Sequence, residues 1–182
     1  DLIVGQDTLI QKLVLKQSDP KNDNRIWMQH LNVRLGYQDG ETLLPVYLKD
    51  KETKIVEAKG MKKPKYILPN GAGVGYGHFK MDSLSRSFFL KNLPKINDTY
   101  LRGIIWLNIW DDMLDGNIKP DEMIELCINA LKTENDILNR QRILTRLNAT
   151  FWNFLTKNQR YLIADELELV LKRHMDEATT LT

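Results

Sequence analysis

The hydrophobic period of this chain changes once, near Asp82, and that change limits the folds open to it. Along Arg25 to Tyr37 the alternate positions Trp27, Leu31, Val33, Leu35 and Tyr37 are apolar, interrupted only by Gln29. His30, Asn32 and Arg34 fall between them. A period of two puts one face of a strand in a core and the other toward water. Gln38-Asp-Gly40 then supplies a turn, with a glycine free to take positive φ. Val46 to Val56 predicts a hairpin with a charged tip. Short strands at this spacing, with no helical pattern between them, predict an antiparallel sandwich over residues 1–82.

Beyond Asp82 the spacing is helical. Ser83 is expected to cap a first helix running to Asn92 and ended by Pro94, and Asn97 or Asp98 a second that stops at Gly116. The second is apolar all round its axis between Tyr100 and Leu114, which predicts burial on every side. Pro120-Asp-Glu opens a third helix, since proline fits a first turn and acids suit the dipole there. Its stripe is Ile124, Cys127, Ile128 and Leu131. Leu144, Leu147, Phe151, Phe154 and Leu155 stripe a fourth helix, and Ile163, Leu167, Val170 and Leu171 a fifth. The last residues, Ala178-Thr-Thr-Leu-Thr182, carry no packing signal. The expected class is α+β as a two-part chain. An Ig-like β-sandwich over 1–82 is followed by an antiparallel helical bundle or α-solenoid over 83–182, itself incomplete.

Charge is nearly balanced, 26 basic against 24 acidic residues, which argues against a dedicated nucleic-acid binder. No apolar run is long enough to span a membrane. The chain begins Asp1-Leu-Ile-Val-Gly, without methionine or a signal core, and reads as a processed chain or a piece of a longer one. Its one cysteine, Cys127, cannot form an internal disulfide, and the compartment stays open.

Candidate chemistry is sparse. His30, His78 and His174 are far apart and form no metal-binding spacing, and one cysteine cannot build a thiolate zinc site. Cys127 reads as a small core side chain. Asp111, Asp112 and Asp115 read as a solvated helix end. Lys59 to Lys65 reads as a solvated loop, and Arg140, Arg142 and Arg146 as the wet face of a helix. Asn97-Asp-Thr99 and Asn148-Ala-Thr150 match the glycosylation pattern incidentally.

Gly71, Gly73, Gly75 and Gly77 crowd into Tyr66–Phe79. A dinucleotide loop would need a third glycine where Tyr76 or His78 stands, and no Gly-Lys-Ser/Thr follows for a Walker loop. The stretch therefore reads as a strand ending at Leu68-Pro-Asn70, a turn over Gly71–Gly75, and a last strand over Tyr76–Met81.

In order, Leu68-Pro-Asn70, the glycine turn and Gly75-Tyr-Gly-His-Phe79 before a helix resemble a junction of aminopeptidase-N-like zinc peptidases of the gluzincin family. There such a segment closes a small β-sandwich and leads into a C-terminal helical domain. Gly5-Gln6 is similar to that sandwich's glutamine-bearing first strand, Trp27 to its strand-opening tryptophan, and Pro94-x-Ile-Asn-Asp98 with Leu101-Arg102 and Trp106 to the following helix start. Gln29-His30 and Gly77 depart from the pattern.

The resemblance implies a non-catalytic C-terminal portion that braces a preceding catalytic domain and covers its peptide cleft. Zinc, its ligands, the glutamate base and the catalytic tyrosine would all belong to that preceding domain. No catalytic, cofactor-binding or metal-ligating residue is assigned here, and Tyr76 is not the catalytic tyrosine. Partners would be the catalytic domain and, through it, peptide substrates; neither nucleic acid nor a membrane span is expected. The alternative is an autonomous protein- or peptide-binding module of the same two parts.

Overall fold

The computed structural model describes the backbone of residues 1–179 and side chains through Asp176; the expectation for Ala178–Thr182 lies outside those side chains. Two compact units divide at Phe88 and Phe89.

In the first unit, β1 (Leu2–Val4), β2 (Ile10–Lys16) and β5 (Glu52–Lys54) form one antiparallel sheet in the order β1-β2-β5. β3 (Gln29–Gly36), β4 (Glu41–Leu48) and β6 (Tyr66–Leu68) form another in the order β4-β3-β6. The alternation read in the sequence sets which faces are buried: Leu31, Val33 and Leu35 of β3 and Leu44, Val46 and Leu48 of β4 point inward. Val33, Leu35, Leu44 and Val46 share one apolar cluster with Ile10 and Leu13 of β2, Ile55 and Ala58. The two sheets thus contribute to a common core. β3 and β4 are a true hairpin, closed where the Tyr37 N–H donates to the Gly40 carbonyl at 2.8 Å. Gly40 has φ +147°, a value that favours glycine.

Four expectations need correction in this unit. The charged segment after β4 is not a hairpin tip, because β5 leaves the sheet of β4 and pairs with β2, Val14 opposite Lys54. Period and charge define the two strands but not their partner, and β2 offers Ile55 a place in the core through the Ile55 N–H to Leu13 carbonyl bond of 2.9 Å. Trp27 lies ahead of β3 and is exposed, and Gly5-Gln6 follow β1 rather than lying in it. Tyr76–Met81 forms no strand.

α1 (Ser83–Asn92) is capped by Asp82, not Ser83: its Oδ1 accepts from the Leu84 and Ser85 N–H groups at 3.0 Å each. Ser85 is instead buried, and its Oγ accepts the Ile67 N–H at 2.8 Å, satisfying a backbone donor of β6. The 88/89 division falls inside α1.

The second unit contains α2 (Thr99–Leu114), α3 (Pro120–Leu131), α4 (Ile137–Asn153) and α5 (Lys157–Thr179). Asp98 and Asp136 cap α2 and α4, accepting from the Leu101 and Asn139 N–H groups at 3.1 and 2.8 Å. Gly116, at φ +77°, turns the chain after α2. Pro120 starts α3, where Glu122 accepts the Lys119 N–H at 2.9 Å. Thr156 and Gln159 bond reciprocally at the start of α5.

α2 is not buried all round. Leu101, Ile104, Ile105, Trp106 and Ile109 are buried, whereas Tyr100, Leu107 and Leu114 face out. An apolar stripe on every face predicts burial only when every face has a neighbour. The α4 stripe is also rotated from the expected one: Ile143, Leu147 and Thr150 are buried, Leu144 and Phe151 are half-buried and Phe154 is exposed. The α3 stripe is buried as spaced.

Leu35 is wholly buried between the strands of the shared cluster. Leu35→Ala is expected to destabilise the first unit by about 2–5 kcal/mol through lost burial and a residual cavity, read as a drop in the urea midpoint.

Candidate functional site

Pro69 to Met81 carries no strand, so the glycines must be explained by what they touch. After β6 the chain stays against β3: the Gly71 N–H donates to the Asn32 carbonyl at 2.7 Å. A Cβ on Gly71 would lie 2.4 Å from Arg34 Cβ and 2.8 Å from the Arg34 backbone nitrogen. Rigid backbone blocks any side chain there. A Cβ on Gly75 would meet Leu31 Cδ2 at 2.2 Å. Asn70 closes the loop with its side-chain amide, accepting the Gly75 N–H at 2.9 Å and donating to the Gly75 carbonyl at 3.2 Å. Gln29 grips the backbone of Tyr76 in the same two-bond manner, at 2.9 and 3.1 Å. Gly71 packs against backbone and Gly75 against the Leu31 and Phe79 side chains, and the amides of Gly71, Gly73 and Gly75 are spent on β3 or inside the loop.

This contact covers the outer face of β3 at Arg34. Arg34 falls on the strand's polar register yet is buried. Its Nε donates to the Gly71 carbonyl at 3.0 Å and its Nη1 to Glu41 Oε2. Tyr66 donates its hydroxyl to the other oxygen of Glu41, and its ring occupies the space left by Gly36, where a Cβ would lie 2.0 Å away. No sequence spacing links residues 34, 41 and 66; the only trace is a glycine in a strand of bulky residues.

Two concavities lie among the described residues of the second unit. One, of about 430 Å³, is lined among others by Ile96, Thr99, Arg102, Trp106, Glu134 and Asp136. Arg102 is saturated within it. Its Nε and Nη2 grip Glu134 at 2.8 and 2.6 Å, its Nη1 donates to the carbonyls of Ile96 and Asn97 at 2.7 and 3.0 Å, and its Nη2 reaches Thr99 Oγ1 at 3.3 Å. Burial alone would raise the Glu134 carboxyl, but hydrogen bonds from Arg102 and the Asp136 N–H outweigh it and hold the group below its ordinary value. Glu134 was not singled out in the sequence, because an acid 32 residues from its arginine leaves no local signal. The other concavity, about 370 Å³ between α3 and α5, has Ile124, Ile128, Leu155 and Leu162 with Asp121, Glu125 and Glu166.

The residues flagged in the sequence do not converge. His30 and His78 are exposed, His30 stacked on Tyr47 at 4.5 Å, and His174 is half-buried on α5. Among the described residues no group of His, Cys, Asp and Glu side chains could hold a metal ion. Cys127 is fully buried, and burial pushes its thiol well above the ordinary range, so it stays protonated. Asp112 departs from the solvated helix end expected of it: it is buried, while Asp115 is exposed. Lys59, Lys62, Lys63 and Lys65 are exposed. Asn148 lies within α4. No helix among the described residues is long and apolar enough to cross a membrane. The chain matches no family model and no curated protein.

Two outcomes follow from this geometry. Gly71→Ala is expected to lose about 1–3 kcal/mol by overpacking against Arg34, seen as a lower unfolding midpoint. Glu134→Ala strands a buried guanidinium and is expected to lose about 3–5 kcal/mol near neutral pH. Because the folded-state Glu134 carboxyl is depressed, its contribution is complete above its unfolded value, about pH 4.3, and is lost as pH falls through the folded value. The gap between the parent chain and Glu134→Ala, measured by urea titration across pH, should therefore narrow in acid.

Proposed function

We propose that this chain is a non-catalytic C-terminal portion of a zinc aminopeptidase of the aminopeptidase-N-like gluzincin family. It braces a preceding catalytic domain and covers that domain's peptide cleft. In this reading the first unit is an Ig-like sandwich and the second a helical bundle or the start of an α-solenoid, with zinc held by the preceding domain. The observation that carries it is the Leu68–Phe79 junction. Of the residues that resemble the family's, Gly71 fastens the segment to β3, Gly75 packs on Leu31 of that strand, and Asn70 closes the loop onto Gly75. The resemblance thus rests on positions whose substitution the packing resists. Exposed apolar side chains on both units, among them Trp27, Met28 and Tyr76 in the first and Leu107, Leu162 and Leu169 in the second, suit a chain with surfaces to be covered. A cover of this kind acts by limiting which peptides enter and by keeping bulk water from the cleft.

The alternative of an autonomous binding module is favoured by the same exposed residues and predicts the same fold. The parent gene separates the two. Under our reading the frame upstream of Asp1 encodes His-Glu-x-x-His with a further glutamate about 20 residues on. That upstream segment, produced separately, is expected to associate with this chain and carry aminoacyl-nitroanilide hydrolysis, while residues 1–182 alone carry none. A frame opening at Asp1, or robust hydrolysis by this chain with stoichiometric zinc, overturns it.

A further inference from the structure

The concavity between α3 and α5 is walled by two helical stripes. α3 contributes Asp121, Ile124, Glu125 and Ile128, and α5 contributes Leu162, Ile163 and Glu166, each at spacings of three and four residues. Leu155, just ahead of α5, lines it as well. Ile124, Ile128 and Leu155 are buried, Ile163 is half-buried, and Leu162 stands 81% exposed. Packed helices ordinarily interdigitate, but here the two faces leave about 370 Å³ between them. From Asp121 to Ile128 the α3 stripe rises about 10 Å, two helical turns.

The charges on this groove are of one sign. Asp121, Glu125 and Glu166 line it, and no lysine or arginine does. Lys132 Nζ reaches Glu166 at 3.1 Å, but among the described residues Asp121 and Glu125 form no ion pair. The α3 dipole accounts for Asp121 in the first turn, but not for Glu125 beyond it or for Glu166 on another helix. The chain as a whole carries a net charge of +2, so the acidity is local. Asp121 and Glu125 are exposed, and a partner's cations reach them without breaking a contact of the fold.

We propose that the α3–α5 groove docks a basic polypeptide segment. The segment sets an apolar side chain against Leu162 and Ile163 and directs lysines or arginines at Asp121 and Glu125. A free small molecule suits the groove less well, because no polar side chain of the lining is buried where it would orient a ligand. A groove two turns long between two helices fits two turns of a partner helix. Its acidic rim attracts a basic partner and repels an acidic one. The inference holds under either reading of the whole protein, and its failure leaves both standing.

The test uses the whole chain and a fluorescein-labelled helical peptide with Leu on one face flanked by Lys, beside a counterpart with Glu for Lys. Saturable anisotropy is expected with the Lys peptide, weakening as NaCl is raised, and binding at least about tenfold weaker with the Glu peptide. Glu125→Lys is expected to weaken the Lys peptide about fivefold and to strengthen the Glu peptide. Leu162→Gln alters an exposed position, and is expected to weaken the Lys peptide while the melting midpoint holds. Lys132→Gln frees Glu166 and is expected to tighten the Lys peptide about twofold, a gain that misfolding cannot produce. Equal binding of the two peptides, affinity unchanged in Glu125→Lys or Leu162→Gln, or no binding of the Lys peptide at about 1 mM overturns the proposal. Displacement by hexylamine at concentrations matching those of the peptide overturns the polypeptide assignment.

Discussion

The approach of Gly71 to Arg34 is the constraint from which the outer face of β3 is built. With a Cβ site 2.8 Å from a backbone nitrogen, the two segments can lie this close only if one lacks a side chain. Closing that distance buries an arginine that the strand's alternation would have left in water. A buried guanidinium then requires acceptors: the Gly71 carbonyl supplies one and Glu41 the other. Glu41 in turn takes the Tyr66 hydroxyl, and Tyr66 takes the room that Gly36 leaves. Two glycines on different segments thus fix the positions of an arginine, an acid and a tyrosine.

The helical unit repeats the logic with a different outcome at each arginine. Arg102 ties Glu134, which precedes α4, to the segment that enters α2, so one side chain fastens two connections at once. Glu134 also accepts the Asp136 N–H at 3.0 Å, and Asp136 caps α4, so the ion pair and the cap reinforce one another. Arg146 has no such closure. Both sit on helices of the same unit, and only one has every guanidinium nitrogen engaged.

The β3 strand, the turn at Gly40, a cap for α2 at Asn97 or Asp98 (it is Asp98) and the α3 stripe were legible because each depends on residues a few positions apart. The errors share a cause. Period placed strands near Val46 and Val56 but could not say that β5 pairs with β2 instead of β4. Alternation after Gly75 resembled a strand, yet the segment is held by side chains, Asn70 on Gly75 and Gln29 on Tyr76, from positions up to 47 residues away. Ser83 looked like a cap because serine caps often, but the neighbouring Asp82 is the better acceptor and Ser85 has a task on β6. For the candidate site, the glycines were visible and their purpose was not. Close packing against another strand and close approach to a ligand ask the same thing of a sequence.

A helix apolar on more faces than its neighbours cover carries information about what lies outside the chain's own contacts. α5 sends Leu167 and Val170 inward and leaves Tyr161, Leu162 and Leu169 exposed, and α2 does likewise with Tyr100, Leu107 and Leu114. One or two exposed apolar residues need no explanation. A row at helical spacing does, because repeating it on one face has no benefit for a helix that only meets water there. The two rows also differ in their company: the α5 row adjoins Asp121, Glu125 and Glu166, whereas the α2 row adjoins Arg142 and Arg146.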